Sequence, residues 1–409
     1  MLRRPDLPRR RRLVALAGAG LLALVGCAGA GADTSPSTAA VGDVAGSTHG
    51  MAAPTTVPTA PLRAGESFQH LGLGVQGYLP AAPAGGTDDY RCFLLDPQVT
   101  APAYVTGVTV LPGNPDVVHH AILFRTPPEQ VAAAEAADAA AEGPGWTCFG
   151  GTGLPAPAGA GAGPTAQLDA APWLGAWAPG APESVFPAGT GVRLDAGSRI
   201  VLQMHYNLLG GTGADTTQVR LRRAAPGSAL TPLETMLLPG PVELPCAPGE
   251  SGYLCQRPNA VLDVMSRFGT DAGRTVAGLQ LLCGGDPTAP RAGPTQSCDR
   301  VVLEPTTIRA AAGHLHLLGR SIRIEVNPGR AEAAVILDKP VWDFDDQGAT
   351  PLPQPVTVDR GDTVRVTCTH DATLRARLPA LRDLPPRYVV WGEGTSDEMC
   401  LGILVVTRP

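Results

Sequence analysis

The chain is almost without lysine: Lys339 is the only one among its 409 residues. Beyond Arg12 it carries no extended basic run, and without residues 1–26 it holds 25 basic against 36 acidic residues, a net charge of about −11. Phosphate neutralisation needs clustered Lys and Arg, so a nucleic-acid partner is excluded. No C-x-x-C pair occurs, which removes zinc ribbons and thioredoxin-like redox motifs. The apolar run Leu13 to Val25 is too short for a permanent membrane span, and no internal repeat is visible.

What is present at the N-terminus reads as an export address. Arg3, Arg4 and Arg9 to Arg12 precede the apolar run, which ends Leu24-Val25-Gly26-Cys27, a lipobox pattern. The expectation is a lipoprotein signal peptide over 1–26 and a lipid on Cys27 that anchors the protein to the outer face of the cell membrane. The arginines leave the general and the twin-arginine export routes both open. Residues 27–61 are Ala, Gly, Thr, Ser and Pro with few large apolar side chains, the composition of a disordered tether. His49 and Met51 in it read as incidental.

Beyond the tether, β-rich runs broken by Gly and Pro recur: 105–111, 117–124, 199–209, 217–222, 321–326, 363–368 and 401–407. This is an all-β sandwich pattern. One helix is expected over 127–142 and a surface insertion over 150–172. The polar, Pro-containing stretch 224–232 marks a boundary between domains at 62–228 and 229–409. Eight cysteines besides Cys27 are an even number in an exported chain, so a disulfide framework is expected.

Five of the eight histidines fall in three strand-like motifs: Val118-His119-His120-Ala121, Gln203-Met204-His205-Tyr206 and Gly313-His314-Leu315-His316. At i, i+2 on a strand His314 and His316 share a face and can share a metal ion. Adjacent His119 and His120 can do so only at a bulge or a strand end. Gln203 shares the face of His205 and is a candidate to support it. His70 and His370 have no partner at useful spacing and read as ordinary residues. Met399, in the polar Gly-rich run Trp391 to Cys400, is a soft thioether donor suited to Cu(I). With His314 and His316 it makes three ligands and leaves a position open for O2.

These motifs, with Trp342 to Gln347 and Gly361-Asp362 leading to Cys368, resemble the copper type II ascorbate-dependent monooxygenases, the peptidylglycine α-hydroxylating and dopamine β-monooxygenases. The resemblance runs over about residues 65–407 and includes the specific motif Gly394-Thr395-Ser396-Asp397-Glu398-Met399-Cys400. It implies two tandem jelly-roll-like β-sandwich domains with one copper on each, facing an interdomain cleft. It assigns His119, His120 and His205 to an electron-transfer copper, and His314, His316 and Met399 to an oxygen-activating, catalytic copper. It also implies the disulfides Cys92–Cys148 and Cys368–Cys400. Cys246, Cys255, Cys283 and Cys298 match the family poorly and allow three pairings, of which Cys246–Cys255 with Cys283–Cys298 is the expectation.

Where peptide-amidating members place an Arg and a Tyr to hold the substrate, this chain has Ala312 and Ile403. A peptide carboxylate would lose its partner, so a small, apolar organic substrate is expected. The implied activity is hydroxylation of a C–H bond with O2 and two electrons from ascorbate or a similar reductant. No protein partner is called for. A surface copper-binding lipoprotein for storage, delivery or sensing is the alternative. A structural or adhesive sandwich with core histidines is a further rival. A zinc hydrolase is disfavoured by Met399 and by the lack of a Glu beside the His-x-His pair, and a blue-copper carrier by the lack of a His soon after Cys400.

Overall fold

The computed structural model describes residues 59–82, 86–155 and 173–409. The signal segment, Cys27, nearly all of the tether and most of the insertion lie outside the described residues. Among the described residues no helix is long and apolar enough to cross a membrane.

Strands dominate, and all seven expected runs are strands. A five-stranded sheet has the order 146–147, 88–95, 199–207, 118–126, 173–177, and a six-stranded sheet has Ala103–Leu111 at its centre. Val105, Val108 and Leu221 from one meet Leu123, Leu202 and Met204 from the other in a single core. In the C-terminal half, Glu234–Pro239, Leu401–Thr407, Thr306–His314 and Thr350–Val358 form one four-stranded sheet, and Thr295–Val301, Thr363–His370, Gly319–Val326 and Ala334–Lys339 form another. Ile308, Leu404 and Val406 pack against Ile322, Ile324 and Val366 in the second core. Each such side chain removed from water contributes about 1.5–3 kcal/mol.

Burial along two strands shows what positions the site. Thr363–His370 alternates between part-buried and buried residues, as a strand with one covered face must. Arg199–Asn207 is buried at every position after its first, so both of its faces are covered. One faces the sandwich core, and the other carries His205 and Gln203 toward the site.

The expected helix forms over Pro128–Ala140. A second helical feature was not expected: Arg257–Phe268 and Thr270–Leu282 make a hairpin that reverses at Gly269, whose φ of 85° suits glycine. Gly273 lets the helices close, because a Cβ there would come within 2.6 Å of the Met265 sulfur. All four expected disulfides form. Cys246–Cys255 lies just before the hairpin, and Cys283–Cys298 fastens its end to the next strand.

Candidate metal centre

His205 lies opposite Tyr90 on one neighbouring strand and opposite His120 on the other. The register shifts between Val118 and His120, so His119 is the extra residue of a β-bulge. This lets both adjacent imidazoles turn the same way. Their Nδ1 atoms and that of His205 form a triangle with edges of 3.0, 3.2 and 3.3 Å.

An imidazole nitrogen either donates or accepts, never both, so three mutual contacts cannot all be hydrogen bonds. At least one edge joins two like nitrogens. Protonation does not relieve this, because burial above all, and then the neighbouring imidazoles, hold His119 and His120 well below the usual histidine value. A buried set of neutral nitrogens at this spacing fits a metal ion about 2 Å from each.

The outer groups select the tautomer. Asp88 Oδ1 accepts from His205 Nε2–H at 2.9 Å, leaving Nδ1 unprotonated toward the triangle. Burial opposes ionisation of Asp88, but the contacts with His205 and then Thr395 and Thr87 outweigh it and hold the carboxyl below its usual range. Burial also lowers His205 despite Asp88. An ionised Asp88 beside a neutral His205 satisfies both directions. Tyr90 stacks on His205 with centroids 4.0 Å apart and donates its hydroxyl to the Glu393 carbonyl at 2.6 Å.

His314 is the last residue of its strand, and His316 lies beyond the strand end. The i, i+2 strand spacing therefore holds only in outcome, with ring centroids 5.1 Å apart. The chain turns after His314, with Gly319 N–H bonded to the His316 carbonyl. The His316 amide leaves the ladder and donates to Glu398 Oε2 at 2.8 Å. His316 Nδ1 lies 3.2 Å from the Asp397 carbonyl, so it carries the hydrogen, and its buried Nε2 has no partner. His314 Nδ1 meets Gln347 Oε1 at 2.6 Å. Burial first, and then His316, depress His314 to about 3. His314 and Met399 line one cavity together with His120. An orphaned imidazole nitrogen, a neutral imidazole and a thioether are a donor set that fits Cu(I).

The two sets are neighbours: the His120 and His314 rings are 5.6 Å apart. The approach is held by the loop before Met399, since Thr395 N and Oγ1 donate to Asp88 and Asn207 Nδ2 donates to Thr395 Oγ1. Gln203 lines the cavity and donates to the Gly151 carbonyl at 2.6 Å rather than to a histidine. Ala312 and Ile403, the two departures from the peptide-amidating pattern, are cross-strand partners, and Ile403 walls the cavity with Leu237 and Leu401.

Sequence reasoning missed four groups. His370, read as ordinary, is buried with Nε2 3.0 Å from the Met399 carbonyl and 3.4 Å from Glu398. Asp88 and Glu398 bind partners 117 and 80 residues away, beyond any local spacing signal. Among the described residues Glu393 is the only carboxyl on the cavity wall. Burial first, and then Asp397, push it up to about 8.

Fold and site together define an all-β protein with a neutral three-imidazole cradle beside a second His and Met set. Residues 293–405 match the family model of the copper type II ascorbate-dependent monooxygenase, C-terminal domain. The resemblance read from the motifs holds over this stretch, which contains His314, His316, Met399 and the Cys368–Cys400 disulfide; the histidine triad precedes it. No curated protein matches the chain. Among solved structures, the major capsid protein P2 of bacteriophage PM2 is 10% identical over 84% of this chain and 97% of its own, with a TM-score of 0.26. Allantoicase is 11% identical over 78% of each chain, with a TM-score of 0.18. Likenesses this low carry no argument.

Proposed function

We propose that the protein is a copper-dependent monooxygenase that hydroxylates a C–H bond of a small organic substrate with an apolar body. The balanced reaction is R–H + O2 + 2 e− + 2 H+ → R–OH + H2O, with ascorbate or a similar donor supplying the electrons. The observation that carries this reading is the triangle of neutral Nδ1 atoms 3.0–3.3 Å apart, beside a cavity shared by His120, His314 and Met399.

In this reading His119, His120 and His205 hold an electron-transfer copper, and His314, His316 and Met399 hold the copper at which oxygen is activated. Two copper ions would supply one electron each. The residues themselves set the geometry. Asp88 holds His205 with Nδ1 free, the Asp397 carbonyl does the same for Nε2 of His316, and Gln347 fixes the His314 ring. Leu237, Leu401 and Ile403 favour an apolar substrate body and limit water. The reading includes two jelly-roll-like domains divided near 228/229 with both sites facing the cleft between them. It also includes a lipid on Cys27 and export, the latter supported by the four disulfides, since such bonds persist in oxidising compartments.

The test is copper stoichiometry and aerobic turnover with ascorbate on phenethyl, fatty-acyl and peptidyl substrates. The parent should bind two coppers and give a hydroxylated product. Met399→Ala should abolish hydroxylation and weaken Cu(I) binding at His314 and His316 while the triad copper stays, and His205→Ala should do the converse. Two bound coppers without product from any substrate would favour copper storage, delivery or sensing instead. Full activity in Met399→Ala would overturn the oxygen-site assignment.

A further inference from the structure

We propose that the helical hairpin 257–282 is a positioning device for the Met399 loop, acting through Arg267 on Asp397. The functional consequence rests on the copper reading; the mechanical claim does not. The hairpin lies outside the matched residues 293–405 and contributes no group to the cavity wall. Its one charged reach toward the site is Arg267, whose Nη1 and Nη2 donate to Asp397 Oδ2 and Oδ1 at 2.8 and 2.6 Å. Such a two-pronged pair fixes direction as well as distance.

Asp397 is 2% exposed and is the hub of the loop. Its Oδ2 also accepts the Gly394 amide at 3.1 Å, which closes the turn two residues after Gly392. A Cβ at Gly392 would meet the Asp397 side chain at 2.8 Å, so the carboxylate is tucked under the loop's own backbone. The Asp397 carbonyl faces Nδ1 of His316, and Met399 follows two residues later. One acid thus ties the hairpin to an imidazole tautomer and to the thioether. Arg387 supports the pair from the other side, 2.9 Å from Asp263 and 3.5 Å from Asp397, while Asp263 takes Arg267 Nε at 2.9 Å.

The rest of the hairpin is built to hold Arg267 still. Phe268, the next residue, packs on Phe149 at 5.1 Å and on Tyr90 at 6.5 Å, the ring stacked on His205. Two disulfides bracket the helices. An exposed ion pair would need none of this, and its removal would change little.

Arg267→Ala and Arg267→Lys are compared with the parent as oxidised full chains, with Arg323→Ala, which removes an exposed pair with Asp338, as control. The first readout uses apoprotein: hydrogen exchange across 392–399 and the rate at which peroxide oxidises Met399, which is 6% exposed. Arg267→Ala should speed both at least about tenfold, Arg267→Lys should fall between it and the parent, and the control should match the parent. The second readout is metal: Arg267→Ala should weaken Cu(I) binding at the Met399 set about tenfold or more and leave the triad copper in place.

Parent-like exchange and oxidation in both variants would overturn the proposal. So would loss of the triad metal together with the loop in Arg267→Lys, because the pair would then hold the whole fold rather than aim the loop. If the loop loosens and the Met399 set loses Cu(I) but the parent never hydroxylates, the positioning claim stands and the monooxygenase reading fails.

Discussion

The two histidine sets are built by opposite means. The triad is set into the middle of a five-stranded sheet, where the ladder and one bulge bring three rings together. The His314, His316 and Met399 set sits where a strand ends: His314 is the last residue the ladder holds, and His316 and Met399 lie on segments outside it. Its order comes from buried acids: Glu398 accepts the amides of His316 and Leu318 at 2.8 and 2.5 Å, and Asp397 takes Arg267. A set made from sheet register should tolerate loss of a distant polar group; a set made from buried acids should not.

The sharpest way to break that comparison is at Glu398, which is 0% exposed. Glu398→Ala leaves two buried amides without their acceptor and removes the acid beside His370, and should destabilise the protein by about 3–5 kcal/mol. Denaturant unfolding measures the loss. Burial opposes a charge on His370, but Glu398 and then the Met399 carbonyl outweigh it and push the imidazole up, so the substitution also removes the group that most favours protonation there. A loss no larger than that of an exposed acid such as Asp338 would show that the loop does not depend on this group.

Asp88 touches both sets and sharpens the comparison further. Asp88→Asn should weaken metal binding at the triad about 10- to 100-fold, through a disturbed His205 tautomer, and should loosen Thr395 as well. Asn207→Ala removes the bond to Thr395 and the acceptor of the Leu209 amide but leaves Asp88 on His205, so it should loosen the loop and spare the triad metal. Metal titration with hydrogen exchange on the two variants separates the effects. Equal loss of triad metal in both would mean that the loop, not Asp88, orders the imidazoles.

What was legible in the sequence follows the same division. The triad could be read because its ligands lie on strands with short-range patterns, and the need for a bulge at His119 and His120 follows from adjacency alone. Seven strands were legible for similar reasons, whereas two disulfides were implied by the family resemblance and the other two were one choice among three pairings. The second set was named through its motif, but the strand reading of His316 failed, because the turn that frees it depends on Glu398, 82 residues away. The hairpin did carry a helical signal, with Ala260, Val264 and Phe268 buried at four-residue spacing. Gly269 and Gly273 look like breakers in sequence; one makes the reversal and the other makes close packing.

The smallest expected effect concerns Glu393, the one acid among the described residues of a wall that is otherwise largely apolar. Its carboxyl is pushed up to about 8 from the usual value near 4.5, by burial and then by the charge on Asp397. The folded state therefore keeps a proton that the unfolded chain gives up near 4.5, and stability falls as pH rises from about 4.5 to 8. Glu393→Gln removes this dependence: apoprotein unfolding should be nearly unchanged at pH 5, while above pH 8 the variant should be the more stable. The side chain is partly exposed to the cavity, so water screens the effect, and a gain on the order of 1 kcal/mol is expected. Thermal unfolding of both apoproteins across this range measures it. A constant offset between them at every pH would mean that Glu393 is ionised throughout, and that the cavity wall is wetter than its lining implies.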